Sequence, residues 1–221
     1  WNDGWQQAGY LNLARIACEK GEFEEALELI DKSLIRNYHS HTARHAKVFI
    51  LRKLGRLDDA QLFINESLAI DPFNFGCLFE RHLLHTDSQE GEEAADALNA
   101  LLRVSRNWVH NFIEYAFDYA HSGLFEEAVA LLKVHKDNSA ELYPMVVYYL
   151  GWFSYKQGMQ TVAITYYKQA PALNPDFCFP NRIEDVVVLQ TAMQLNKDDA
   201  KAPYYLGNFW YDKRQYNEAI Q

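Results

Sequence analysis

Two histidine pairs are the nearest this sequence comes to a metal site. His41 and His45 stand four residues apart and His82 and His85 three apart, with His39 close to the first pair. On a helix either spacing places both imidazoles on one side. A structural zinc site needs four ligands, and neither pair has an obvious carboxylate or thiolate beside it, so no metal is expected. Cys18, Cys77 and Cys178 are too scattered for a metal knuckle or a disulfide framework, and their use favours a reducing, cytoplasmic compartment. There is no phosphate-cradling glycine loop, no Gly-x-Ser-x-Gly elbow and no His-Glu-x-x-His. The expectation is therefore a non-catalytic chain without a cofactor. What remains is recognition by aromatic side chains: 14 Tyr, 13 Phe and 5 Trp.

The composition limits what such side chains could recognise. The chain has 221 residues, 49% of them hydrophobic and 23% charged, which is enough apolar matter for a packed core. Asp and Glu number 30 against 21 Lys and Arg, a formal net charge of −9. That sign argues against nucleic acid and anionic membranes as partners, because both require a basic face. No apolar run approaches the roughly 18 residues that span a bilayer. Trp1 is not a native start and the chain stops at Gln221 within a helical pattern, so both ends are expected to be cut from a longer protein.

The elements that position the aromatics follow from an internal period. Ala26, Ala60, Ala94 and Ala128 recur every 34 residues, each directly after an acidic pair: Glu24-Glu25, Asp58-Asp59, Glu92-Glu93 and Glu126-Glu127. Gly21, Gly55 and Gly123 keep the same frame, and Leu150-Gly151, Gly158, Ala163, Tyr167 and Pro175 continue it one residue out of step. The glycines suit the turn that ends one helix, and the acidic pairs suit the positive end of the next helix's dipole. Small residues at fixed places allow close approach between helices.

This pattern resembles the tetratricopeptide repeat, a helix-turn-helix unit with an aromatic, Leu-Gly, an aromatic, Ala, an aromatic and Pro at set positions. The resemblance implies an all-α superhelical solenoid of antiparallel helix pairs. The units fall at 7–40, 41–74, 75–108, 109–142 and 144–177, with a truncated one at 200–221. Between the last two, Pro175 to Pro180 cannot be helical, so an orphan helix at about 182–196 is expected before the final repeat. The stretches Cys178–Arg182 and Asp199–Asn208 also look like the repeat region of large bacterial proteins whose β-rich N-terminal domain is uncharacterised. The truncated end is expected to leave the apolar side of Tyr205, Phe209 and Trp210 partly uncovered and to invite self-association.

In repeats of this kind the first helix of each pair lines a concave groove. The resemblance then places Phe49, Arg52, Phe79, Phe117, Tyr148, Trp152, Tyr155, Tyr204, Asn208 and Tyr211 along it. The orphan helix is expected to bend the stack into a local pocket, with Trp152 and Tyr155 on one side, Tyr204, Asn208 and Tyr211 on the other, and Arg182, just after the Phe179-Pro180 corner, as its fixed cation. Trp108 is expected to serve stability instead of binding. The set that grips a C-terminal carboxylate in chaperone-binding members is absent, since Leu11, Arg15, Ala46, Gly76 and Glu80 occupy its positions. The leading expectation is a scaffold that binds a protein or peptide. A carbohydrate-binding or substrate-presenting module of a larger enzyme, and a spacer or dimerisation arm, stay open.

Overall fold

A computed structural model of the chain describes residues 3–220, and Trp1, Asn2 and Gln221 lie outside the described residues. Every regular element among them is helical. The chain divides into two compact units, Trp1–Leu124 and Phe125–Gln221.

The first unit holds α1 (Asp3–Glu19), α2 (Phe23–Arg36), α3 (His41–Lys53), α4 (Leu57–Ile70), α5 (Phe75–Asp87), α6 (Gly91–Ser105) and α7 (Val109–Ala120). Its hairpins reuse the same local chemistry at the 34-residue interval. Ser40 and Asn74 cap α3 and α5, their side-chain oxygens accepting from the N–H of Ala43 at 3.3 Å and of Cys77 at 3.1 Å. Asn37 and Asp71 end α2 and α4 in extended backbone, their side chains accepting from the N–H two residues on. The in-frame alanines Ala26, Ala60 and Ala94 are all buried, as the tight pairing of adjacent helices requires.

Turns within the hairpins need left-handed backbone, with φ of +80° at Gly21, +72° at Gly55 and +74° at Gly123. The third hairpin has Gln89 in the same place, at φ +60°. A left-handed conformation costs a residue with a Cβ roughly 1–2 kcal/mol. Gln89→Gly should therefore stabilise the chain by up to about 1 kcal/mol, because glycine's greater freedom when unfolded offsets part of the relief. An unchanged or lowered urea midpoint would refute this.

The second unit holds α8 (Phe125–Asp137), α9 (Pro144–Lys156), α10 (Gln160–Gln169) with a 3-10 turn at Ala170–Ala172, α11 (Ile183–Leu195), α12 (Lys201–Asp212) and the short α13 (Tyr216–Ala219). Pro144 opens α9, where a missing N–H costs nothing. Gly151 is needed for space: a Cβ there would lie 2.5 Å from the Tyr167 ring. The orphan helix α11 is anchored by Asp185, whose Oδ2 accepts from the N–H of Asn181 and of Arg182, both at 2.9 Å, while Oδ1 accepts from the Tyr149 hydroxyl. Asp199 does the same for α12, accepting from the N–H of Lys201 and Ala202 and from the Tyr148 hydroxyl at 2.8 Å. Two tyrosines of α9 thus tie the orphan helix and the one after it to the second unit.

One expectation is corrected here. Tyr205 and Phe209 are buried, Tyr205 edge-on to Tyr148 at 6.0 Å, and Trp210 is half-buried. The packing of α12 on α11 and α9 covers the face that was expected to be partly bare. The uncovered side of α12 is the opposite one.

Candidate functional site

Within the first unit, the residues expected to line a groove form a core instead. Phe49, Phe79 and Phe117 are buried. The His45 ring of α3 lies 5.3 Å from Phe49 and, on α7, 5.4 Å from Tyr115 and 4.8 Å from Tyr119. Phe75 of α5 meets Phe112 and Tyr115 at 5.1 and 4.8 Å. At the rim, Arg15 of α1 donates to Asp118 of α7 at 2.6 Å. With α1, α3, α5 and α7 joined in this way, their aromatics face one another and are closed to a ligand. Arg52 is engaged as well, its Nε donating to the fully buried Glu80 at 2.8 Å.

The histidine pairs are separated. His41 meets Asp71 at 3.1 Å while His45 is buried among rings, and His85 meets Glu90 at 2.6 Å while Nδ1 of His82 lies 2.8 Å from the Ala94 carbonyl. Among the described residues no three His, Cys, Asp or Glu side chains converge as metal ligands. The cysteines are buried, and burial pushes the thiols of Cys18 and Cys77 up to about 12 and of Cys178 up to about 11, far from the thiolate a nucleophile needs.

In the second unit Tyr148 is buried and spent on Asp199. Trp152 is half-buried, edge-on to Phe125 at 6.2 Å and beside Phe153 at 5.5 Å. Tyr155 is exposed, and Arg182 is half-buried at the N-cap of α11. The most exposed of the aromatics expected to line the groove are on α12. Tyr204 is 57% and Tyr211 67% exposed, seven residues apart, with half-buried Asn208 between them on the same side of the helix. Together with Pro203, Gly207, Ala219 and Ile220 they line a depression of about 240 Å³, and Tyr211 stacks edge-on with Tyr216 at 5.4 Å. Trp152, Tyr155 and Arg182 do not border it. Trp108, expected to be a packing residue, is 61% exposed, because the turn after α6 carries it outward.

A family model described as the tetratricopeptide repeat matches residues 11–75, the stretch from α1 to the start of α5. Residues 11–75 carry the tetratricopeptide repeat. Beyond the matched residues the repeat frame persists in buried Ala128 and Ala163 and in Gly158 at φ +77°. No curated protein matches the sequence. Solved structures similar to it include MamA from Desulfovibrio magneticus RS-1, with 15% identity over 76% of this chain and 94% of that one, at a TM-score of 0.43. The thermophilic protein TTC0263 of Thermus thermophilus is 18% identical over 86% and 98%, at 0.46, and pilF of Pseudomonas aeruginosa is 16% identical over 99% and 98%, at 0.45. Among the described residues no helix is long and apolar enough to cross a membrane.

Proposed function

We propose that this chain is a non-catalytic scaffold that captures an extended segment of a partner protein on the Tyr204–Asn208–Tyr211 face of α12. The observation that carries the reading is the pair of exposed tyrosine rings flanking a depression on a helix whose other side is locked in the core. Tyrosine brings a large amphipathic contact for the loss of two torsions, and a rigid backing keeps that cost low. The Asn208 amide offers both a donor and an acceptor, which matches the alternating groups of a peptide backbone. Phe49, Phe79, Phe117, Tyr148 and Arg52 take no part, since the fold already uses them.

Selection of linear peptides from a displayed library on the intact chain tests this. The selected peptides should bind Tyr211→Ala at least about 2 kcal/mol more weakly than the parent, as at an interface hot spot, with melting unchanged because the ring is exposed. Peptides that bind Tyr204→Ala and Tyr211→Ala as well as the parent would remove the site from α12. Rings flanking an amide also suit stacking on a sugar. Oligosaccharides bound on an array, and lost with the same two substitutions, would replace the peptide with a carbohydrate.

A further inference from the structure

The first unit has a second recessed surface, on the side of α3 away from its aromatic core. Residues 45 and 49 of α3 face inward; residues 47 and 51, half a turn away, form the floor of a cleft between α2 and α4. Its apolar part is Leu27 of α2, Leu51 of α3 and Leu62 and Phe63 of α4, and its volume is about 240 Å³. That is below the roughly 300–1,000 Å³ of small-molecule sites, and suits an inserted side chain better than a cofactor. Leu62 is 70% exposed at the mouth, an apolar group that the unit itself leaves uncovered.

The charges that border this mouth are mostly acidic on the outer side. Asp31, Asp59 and Glu66 border the cleft with their carboxylates about half exposed. Two of the cations that hold them lie deeper. Lys47 donates to Asp31 at 2.7 Å while lying over the Phe63 ring at 4.6 Å. Arg44, almost fully buried, donates to Glu66 at 2.5 Å and lies 4.5 Å above the same ring. Among the described residues that line the cleft, Arg56, paired with Asp59, is the one exposed cation. The hydrogen bonds from Tyr38 and Arg44 hold the Glu66 carboxyl below the usual range, so it stays ionised in mildly acidic solution.

We infer that the α2–α4 cleft docks a basic amphipathic segment of a partner protein, one apolar side chain entering between Leu27 and Phe63 while Lys or Arg side chains pair with Asp31, Asp59 and Glu66. The apolar floor supplies the anchor's burial, and the outward carboxylates supply orientation and rate of encounter. This cleft and the α12 face share no lining residue, so the two readings stand or fall independently.

The test uses the intact chain and a synthetic helical peptide with leucine on one face and lysine on the other, followed by fluorescence anisotropy. A second peptide carries glutamate in place of each lysine. The lysine peptide should bind the parent, weaken with added salt, and outbind the glutamate peptide by about tenfold or more. Leu62→Arg, at an exposed position that folding does not need, should weaken it by about tenfold or more. Gln190→Arg makes the same change in net charge on exposed α11, and it and Tyr211→Ala should leave binding within about twofold of the parent. No binding to the parent, equal binding of the two peptides, or equal loss in Leu62→Arg and Gln190→Arg overturns the inference.

Discussion

Glu80→Ala is expected to lower the unfolding free energy by about 3–5 kcal/mol, because it strands a buried charge. Glu80 is fully buried in α5. One carboxylate oxygen accepts from Arg52 Nε at 2.8 Å, and the other from the Tyr119 hydroxyl at 2.5 Å and from Arg52 Nη2 at 3.5 Å. The Arg52 side chain is itself only 9% exposed, and a second acidic neighbour, Asp87, stands at 3.5 Å in a half-exposed position. Truncation therefore removes a close carboxylate partner of a guanidinium that water scarcely reaches, and also takes away the carboxylate to which the buried Tyr119 hydroxyl donates. Coupling to Arg52 separates this from simple loss of packing. The double variant Arg52→Met with Glu80→Leu carries neither charge and should recover a large part of the loss. Urea unfolding at neutral pH measures both. A loss under about 1 kcal/mol for Glu80→Ala would mean that the network contributes little.

His45 should make the chain sensitive to mild acid. Burial, with further contributions from Arg15 and Arg52, lowers its pKa to about 3, and neither ring nitrogen has a hydrogen-bond partner. The ring is neutral in the fold and titrates near 6.5 once unfolded. Below that pH the unfolded chain binds a proton that the folded chain does not. Stability is then complete above about pH 6.5 and falls by about 1.4 kcal/mol per pH unit as the pH drops toward about 3. At pH 4.5 the loss from this one group is about 2.7 kcal/mol. His45→Leu deletes the proton site along with two unsatisfied polar atoms, and should be near neutral at pH 7. The charged neighbours Arg15, Arg52, Glu80 and Asp118 are common to parent and variant, so the difference between the two pH profiles isolates His45. Parallel profiles between pH 6.5 and 4.5 would show that His45 accepts a proton in place.

The local grammar of the chain is legible from its residues alone. The 34-residue recurrence of alanine, acidic pair and turn glycine is a statement about neighbours within one hairpin; α2, α4 and α8 carry all of it, and α6 all but the glycine, which Gln89 replaces. Pro175 and Pro180 likewise announced the break before α11, because proline's effect is confined to its own backbone. The repeat family and the all-α class followed from that grammar. Which aromatics would meet a ligand did not. Phe49, Phe79 and Phe117 have the spacing of a lining stripe, and Tyr204 and Tyr211 have the same kind of spacing, yet the first three are core and the last two are surface. A helix's period records which residues share a face, not whether another helix already occupies it. That was decided by contacts such as Arg15 with Asp118, which join helices 103 residues apart and close the inner face of the first unit. The α2–α4 cleft was equally silent in the sequence: Asp59 read as a helix-start charge and Asp31 and Glu66 belonged to no pattern, and the inward turn of Lys47 and Arg44 beneath them is a tertiary fact. Local pattern reaches about one hairpin; burial depends on partners far along the chain, and only tertiary packing chooses those.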